Sequence, residues 1–275
     1  MELVKVSVII TFYNELDFQV HRSIKSVLEQ TFQNFELILL LASPNNLMIL
    51  SILNQYKNTD SRVKVIVTSK NSYVSVARNL GINEATSEYI AILDGDDEFL
   101  PTKLEKQYNY MVANPEIDML GTYTIWKIEN DINSEFYYKI GEVEEFIKHQ
   151  VPLPQTTLML KKSSVEKYGY YNELIRYGQD YDFEIRWYCS GAKLEILREY
   201  LVNYYKVPSK DSNLTRQQVM SGIKIKLRYA KQLKLGIKHY IKIFLYDFPI
   251  FVLLPQSFLF KAVFIKNKLL SNNKK

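Results

Sequence analysis

Short apolar runs alternate with helix-like stretches through the first third of the chain. The runs rich in β-branched and aliphatic residues lie at 4–12, 35–41, 63–67 and 89–93. Between them, residues 18–30, 47–56 and 74–84 read as helices. This rhythm predicts an α/β fold with a mixed, mainly parallel sheet flanked by helices. Further along, the pattern predicts helices at 101–113, 142–150 and 181–190 and strands at 119–128 and 158–161.

An acidic cluster follows the fourth predicted strand. Residues 94–98 read Asp-Gly-Asp-Asp-Glu, and open α/β sheets bind ligands beyond the carboxyl ends of their strands. Carboxylates this close repel one another unless a cation or several donors compensate them. A hard divalent ion shared with phosphate oxygens would do so. The alternative is a solvated turn whose acids cap the helix that starts near Pro101.

A second group of acids opens the helix predicted near residue 181. The stretch 178–187 reads GQDYDFEIRW, and a carboxylate there could act as a general base if burial or a neighbouring charge such as Arg186 tunes its pKa. The alternative is an aspartate that only caps the helix. Four tyrosines precede this stretch and either stack on sugar rings or pack in the core: Tyr168, Tyr170, Tyr171 and Tyr177.

Cysteine and histidine usage narrows the function classes. The 275 residues are 47% hydrophobic, which is enough to fill a sizeable core. The single cysteine, Cys189, excludes a disulfide framework, and the three scattered histidines leave no cluster with zinc-ligand spacing. The first residues enter an apolar run directly, without the features of a signal peptide. We therefore expect a protein of a reducing compartment, the cytoplasm.

Charge is distributed unevenly along the chain. The formal net charge is +5, but residues 206–275 contain 15 Lys or Arg and 2 Asp or Glu, so they carry +13 and leave −8 for the residues before them. A segment this basic suits nucleic acid or an anionic membrane. Because the body is acidic and no nucleic-acid-binding motif accompanies the basic residues, we expect no nucleic-acid partner.

The basic segment divides in two. At 223–244, apolar residues fall at helical spacings among lysines and arginines, which predicts one basic amphipathic helix. Residues 248–260 then run 13 residues without a charge, but they include two prolines and fall short of the roughly 20 residues that cross a bilayer. We expect this segment to lie on a membrane or to dip into it. The alternative is a helix that packs on the body and leaves its lysines in solvent.

Five segments, taken together and in order, resemble the family 2 glycosyltransferases, nucleotide-sugar-dependent enzymes of the GT-A fold. They are 6–15 (VSVIITFYNE), 23–31 (SIKSVLEQT), 77–82 (ARNLGI), 88–97 (EYIAILDGDD) and 178–182 (GQDYD). The first resembles the opening strand of the family, with Thr11 in the position of a proline. The fourth is similar to the DxD motif, and the fifth to the Glu-Asp motif, with Gln179 where Glu is usual. The resemblance covers about residues 4–205.

The resemblance implies roles for individual residues. Asp94 lies near the ribose, Asp96 helps to bind Mn2+ or Mg2+ on the diphosphate, and Asp180 is the catalytic base. The metal would neutralise charge on the departing diphosphate while the base activates an acceptor hydroxyl. The residues implied in donor binding are Phe12, Tyr13, Asn14, Arg78, Asn79, Asp94 and Asp96. Asp97, Asp182 and Arg186 are secondary candidates beside these motifs.

One stretch departs from the family pattern. After the second strand the family usually carries Asp-Asp-Gly-Ser, whose first acids contact the nucleobase, whereas this chain has Leu41-Ala42-Ser43-Pro44. Three alternatives remain at this point. Backbone groups and stacking on Phe12 and Tyr13 hold a uridine, or the nucleotide is a different one, or donor binding is weak.

The resemblance implies an inverting, metal-dependent enzyme that moves a sugar from a nucleotide-sugar donor, first of all a UDP-sugar, to a hydroxyl of a saccharide acceptor. For cytosolic members the usual acceptors are lipid-linked saccharides of capsule or O-antigen, which agrees with a basic tail. We expect a catalytic domain at 1–205 and a membrane-associating extension at 206–275, peripheral on the inner face of the cell membrane. The alternative, motivated by Leu41, Ala42 and Gln179, is a catalytically degenerate subunit that binds nucleotide or lipid in a membrane assembly.

Overall fold

A computed structural model describes residues 3–129, 131–206 and 216–243. Its first half repeats a strand–helix unit three times and then adds a fourth strand. In chain order the elements are β1 (Val6–Phe12), α1 (Asp17–Leu28), β2 (Phe35–Leu41), α2 (Leu47–Thr59), β3 (Val63–Val67), α3 (Val74–Glu84) and β4 (Tyr89–Asp94). These elements confirm the predicted rhythm, and their ends differ from the predicted ones by at most three residues.

The first four strands pair in parallel in the order β3-β2-β1-β4. Thr11 of β1 lies opposite Leu40 of β2 and Asp94 of β4. The carboxyl ends of these strands therefore meet at one edge of the sheet, where α/β proteins bind their ligands.

The second half of the chain extends the sheet with strands of both directions. Its elements are β5 (Glu98–Phe99), α4 (Lys103–Ala113), β6 (Met119–Ile128), β7 (Asp131–Tyr138), α5 (Val143–Phe146), a 310 turn (Gln155–Thr157), β8 (Met159–Lys161), α6 (Lys162–Tyr168), α7 (Gln179–Cys189) and β9 (Leu194–Lys206). β8 runs antiparallel to β4 and to β6, whereas β6 and β9 are parallel. The result is the mixed sheet predicted above, although β7 and β9 were not predicted and α5 is only one turn long.

Both faces of the sheet are buried. Val8 and Ile10 of β1 belong to one core cluster with residues of α1, α2 and α4. Ile9, between them, belongs to a second cluster on the opposite face with residues of α3 and α7. Burial on both faces explains why these strands read as continuous apolar runs rather than as alternating ones.

Helix α3 lies close against the sheet because of one glycine. A Cβ atom on Gly81 would come within 2.6 Å of Leu40 Cδ1 and 2.9 Å of Ile9 Cγ2. Only a residue without a side chain allows this approach. The close packing fixes α3, and Arg78 one turn earlier, relative to the carboxyl ends of β1 and β2.

The part of the tail that the structure describes is helical, but it is not one helix. α8 (Arg216–Arg228) and α9 (Ile237–Lys242) are separated by a turned segment in which Lys234 has a φ of 52°. The single amphipathic helix predicted at 223–244 is therefore wrong, since a residue in the left-handed region ends a regular helix. The inner face of α8 packs on α7. The apolar stretch 248–260 lies outside the described residues, and none of the described helices is both long enough and apolar enough to span a bilayer.

Candidate active site

A cleft of about 1020 Å3 opens at the carboxyl edge of the sheet. Its walls come from seven places in the chain: the end of β1, Ala42 after β2, the loop between β3 and α3, the first turns of α3, the turn after β4, the loop before α7, and the end of β9. The sequence predictions had pointed to all of these except the loop between β3 and α3 and the end of β9. The cleft therefore gathers motifs that are separated by up to about 190 residues in the chain.

The turn after β4 places two carboxylates in the cleft. Asp94 and Asp96 both line it, with Gly95 between them. A Cβ on Gly95 would lie 2.6 Å from the ring of Phe12 and 2.9 Å from the carbonyl oxygen of Thr11. The turn therefore rests directly on β1, which holds its acids at the cleft wall.

Arg78 of α3 forms an ion pair with Asp94. Its Nη2 donates to Asp94 Oδ1 at 2.5 Å, although the arginine is only 3% exposed. Burial is the largest single effect on the pKa of Arg78 and acts to lower it, but the charge and hydrogen bond of Asp94, together with the charges of Tyr171 and Asp180, outweigh burial and raise the pKa. The cleft thus contains a permanent buried cation whose partner is a cleft carboxylate.

Asp97 is tied to β9 instead of the cleft. Its Oδ1 accepts a hydrogen bond from the backbone N–H of Tyr205 at 2.8 Å, and the side chain is fully buried. Burial, together with the charges of Asp96 and Asp94, raises the pKa of Asp97 well above its ordinary value. Asp97 is therefore a structural residue that links the turn after β4 to β9.

Arg22 of α1 braces the same turn, and the sequence analysis did not identify it. Its guanidinium makes two hydrogen bonds to Glu129, at 2.8 and 2.9 Å, and donates to the carbonyl oxygen of Asp96 at 2.6 Å. It also stacks on Tyr205, 3.4 Å from the ring centre. A planar, multidentate donor of this kind fixes the backbone from which the Asp96 carboxylate projects.

The carboxylates of the turn fit a divalent cation that also has ligands from a bound phosphate. Within the described ranges, no three His, Cys, Asp or Glu side chains are grouped closely enough to bind a metal on their own. Mg2+ and similar ions need only one or two carboxylates when phosphate oxygens complete their shell. Of the acids in this turn, Asp94 and Asp96 line the cleft, whereas Asp97 is buried.

Asp180 stands in the first turn of α7, close to this group. Gly178, with a φ of 73°, precedes the helix in the left-handed region. The half-buried carboxylate of Asp180 accepts a hydrogen bond from the N–H of Tyr181 at 2.8 Å. Burial is the main cause that raises the pKa of Asp180; the charge of Asp94 adds to it, and Arg78 opposes it. Arg78 is therefore an electrostatic neighbour of both aspartates.

Glu184 lies one turn further along α7 and was missed in the sequence. It is fully buried, and its Oε2 accepts a hydrogen bond from the N–H of Leu153 at 3.0 Å. Burial and the nearby charge of Asp180 raise its pKa well above the ordinary value. Its place in an i, i+4 pair with Asp180 was readable from the helical spacing, but its burial was not.

Three further predicted residues do not line the cleft but contact the elements around it. Asn79 uses its amide to hold the loop before α7, donating to the carbonyl of Tyr171 and to Glu173, both at 2.9 Å. Arg186 donates to the carbonyls of Tyr168 and Tyr170. Asp182 is buried between α7 and α8. We interpret all three as residues that shape the loop and the helix that carry Asp180.

The end of the cleft at β1 and β2 is where the chain departs from the expected pattern. Phe12 and the exposed Tyr13 line it, whereas Asn14 is exposed and outside it. Leu41 is buried in the core, so of residues 41–44 only Ala42 lines the cleft. Lys70 and Asn71, from the loop after β3, also line this end. Their position after a predicted strand is the one sequence feature that could have identified these two residues.

The tyrosines before α7 divide between core and cleft. Tyr171 is buried, with its ring stacked on Phe183 at 3.9 Å, and Tyr168 packs on Trp187. Tyr177 lines the cleft together with Arg176, whose guanidinium lies 5.3 Å from the Tyr177 ring. Only Tyr177 of the four is thus placed to touch a bound ligand.

Comparison with known proteins finds similarity over most of the chain. The family model described as Glycosyl transferase family 2 matches residues 7–169. An uncharacterized glycosyltransferase of Methanocaldococcus jannaschii, MJ1057, is 34% identical over 274 residues, which cover 96% of this chain and 94% of that protein. The O-antigen biosynthesis glycosyltransferase WbnJ of Escherichia coli is 33% identical over 210 residues, 72% of this chain and 78% of its own.

Solved structures show the same fold. A fragment of S. aureus TarS, 1–349, superposes with a TM-score of 0.63 at 18% identity, covering 96% of this chain and 81% of that one. Structures of the same fragment in complex with UDP and with UDP-GlcNAc each superpose with a TM-score of 0.60. The chain spans about half, 54%, of the longer TarS structure. At this level of identity the likeness concerns the fold alone.

Proposed function

Since the chain belongs to glycosyl transferase family 2 and has the GT-A fold, we propose that it is an inverting enzyme that transfers a sugar from a nucleotide-sugar donor to a hydroxyl of a saccharide acceptor. The observation that carries the proposal is the position of one buried arginine, Arg78. It pairs with Asp94 on the cleft wall that Asp96 also lines, and its charge acts on Asp180, which does not itself line the cleft. Acids with separate surroundings can serve separate chemical roles within one site.

The donor lies in the cleft with its diphosphate at the turn after β4. Asp96 would bind Mn2+ or Mg2+ there, and the metal would neutralise the charge that develops on the departing diphosphate. The nucleobase lies toward Phe12, Tyr13 and Ala42. UDP is the first nucleotide to test, because TarS crystallised with UDP and with UDP-GlcNAc has the same fold.

Asp180 acts as the base in this scheme. Its burial and raised pKa suit a group that takes a proton from an alcohol. A single displacement, with the acceptor hydroxyl on the face of the sugar opposite the diphosphate, inverts the anomeric carbon. The product of an α-linked donor would then be a β-glycoside.

The acceptor we propose is a lipid-linked saccharide of a surface polysaccharide, used at the inner face of the cell membrane. The similarity to WbnJ, an O-antigen biosynthesis glycosyltransferase, supports a polysaccharide acceptor. The tail supports the proposed membrane location. Its helix α9 presents two exposed isoleucines, Ile237 (77% exposed) and Ile241 (46% exposed), beside the lysines Lys238 and Lys242. An apolar stripe flanked by lysines is typical of helices that lie in a membrane interface.

Calorimetric titration tests the donor assignment. We expect UDP to bind the full chain much more tightly when Mn2+ is present, and GDP and dTDP to bind more weakly than UDP. A paired assay of sugar release from UDP-sugars would show whether binding leads to turnover. If no nucleotide binds with or without metal, the cleft at Ala42 has lost donor recognition. The protein would then be better explained as a non-catalytic partner subunit.

Vesicle sedimentation tests the membrane assignment. We expect the protein to sediment with vesicles that contain phosphatidylglycerol and to be released by high salt, since each basic side chain near an anionic surface contributes about 1 kcal/mol. The double variant Ile237→Ser/Ile241→Ser should bind several-fold less. Val112→Ser on α4 is the matched control, because Val112 is similarly exposed at 49%. Equal binding by all three proteins would contradict a role for α9.

A further inference from the structure

Helix α8 packs directly on the turn that precedes Asp180. Ser221 Oγ donates a hydrogen bond to the carbonyl oxygen of Tyr177 at 2.6 Å. Ile225 is also against the turn, since a Cβ on Gly178 would meet its Cδ1 at 3.2 Å. Two consecutive residues before α7 are therefore in contact with the tail.

The contact continues along α7. Ile225 is 3% exposed and shares a core cluster with Tyr181 and Ile185 of α7 and with Ile147. Tyr181 and Ile185 lie on the side of α7 that faces α8. The first turns of α7 thus bury their apolar surface against the tail, and this burial holds the helix in place.

The tail also provides a positive charge beside a buried acid of α7. Asp182 is 1% exposed, and its carboxylate lies 3.6 Å from Arg186 Nε and 3.8 Å from Arg228 Nη1. Burial raises the pKa of Asp182, and the two arginines oppose that effect. One of these two cations, Arg228, belongs to α8, so the tail supplies part of the compensation for a buried acid two residues beyond Asp180.

The turn before α7 ends in a glycine. Gly178 occupies the N-cap position with a φ of 73°, and no side chain caps the helix. Glycine has more backbone freedom than any other residue, and an N-cap side chain would otherwise restrain this end. Contacts from outside the turn must therefore fix its conformation.

We propose that α8 is a positioning element of the active site, and that Ser221, Ile225 and Arg228 are positioning residues that hold Asp180 in its catalytic geometry. The inference rests on the proposed role of Asp180 as base. It changes the role of the basic tail, whose first helix then belongs to the catalytic unit.

The test compares two buried isoleucines. Ile225→Ala should lower kcat by roughly 10- to 100-fold, because a misplacement of about 1 Å in a catalytic group has effects of that size. The donor KM and the UDP affinity should change less than about twofold, since the donor cleft does not include Ile225. Ile52→Ala is the matched control: Ile52 is buried in the core on α2 and should leave kcat near that of the unaltered protein.

Hydrogen exchange supplies a readout that does not depend on activity. Amides at 177–182 should lose protection in Ile225→Ala and keep it in Ile52→Ala. Ser221→Ala, which removes one hydrogen bond and little volume, should move both readouts in the same direction by a smaller amount. Arg228→Leu should lower kcat, and Arg228→Lys should restore most of it.

Three results would overturn the inference: an unchanged kcat in folded Ile225→Ala or Ser221→Ala, an equal loss in Ile52→Ala, or unchanged exchange at 177–182. If Ile225→Ala does not fold, Ser221→Ala decides. If the unaltered protein shows no transfer or hydrolysis with any donor, the proposed function fails, and exchange alone decides whether α8 holds the turn.

Discussion

Asp180→Asn is expected to abolish sugar transfer and to leave donor binding intact. The amide cannot take a proton from the acceptor, and the loss of a general base lowers rates by about 10²- to 10⁴-fold. The turn should survive, because an asparagine oxygen can accept the same hydrogen bond from the N–H of Tyr181. The measurement is kcat with a saturating donor, together with calorimetric affinity for the nucleotide and Mn2+.

The pH dependence provides a second readout of the same residue. The base must be ionised to act, and burial raises its pKa. The rate of the unaltered protein should therefore fall as the pH drops through a value above that of an ordinary aspartate. The residual rate of Asp180→Asn should lack this step.

A matched control for this change is available on α1. Asp17→Asn removes an exposed acid from the first turn of another helix and should change neither kcat nor its pH profile. Transfer by Asp180→Asn at more than about a tenth of the normal rate would remove the residue from the role of base.

Asp96→Asn is expected to separate metal-dependent from metal-independent donor binding. Loss of a direct carboxylate ligand should weaken nucleotide binding in Mn2+ by more than roughly 10-fold, since even outer-shell partners of a metal are worth about 10- to 100-fold in affinity. Binding without metal should be nearly unchanged. Titration of the nucleotide at several Mn2+ concentrations measures both quantities.

The neighbouring acid is the control for Asp96. Asp97 is buried, and its carboxylate accepts a hydrogen bond from Tyr205, a contact that an asparagine oxygen can keep. Asp97→Asn should therefore retain the metal dependence of binding. An equal loss in both variants would mean that the turn, and not the Asp96 carboxylate, carries the effect.

The strands at the centre of the sheet were predictable because of where they lie. β1, β2 and β4 are covered on both faces, so their runs are almost entirely apolar and bounded by turn residues. β9 was missed because Glu195, Arg198 and Glu199 interrupt its apolar residues. Its pairing with β6 also breaks register at two places, which a regular pattern cannot predict.

The acids of the site were predictable, and their supports were not. Asp94, Asp96 and Asp180 lie in short motifs that can be recognised from local sequence. The turn at Asp96 is supported by Arg22, which pairs with Glu129, 107 residues away in the chain. Only the folded chain brings these residues together. Asn79 shows the opposite case, because it belongs to a recognised motif yet uses its amide to hold the loop at Tyr171.

The contact between α8 and the turn before α7 also orders events during synthesis of the chain. Ser221 follows Tyr177 by 44 residues, and nascent chains fold from the amino terminus as they emerge. The sheet and the donor cleft can form while the residues of α8 are still inside the ribosome. On the role proposed for α8, a nascent chain would be able to hold a nucleotide before it could use one, and turnover would begin only when α8 has left the exit tunnel.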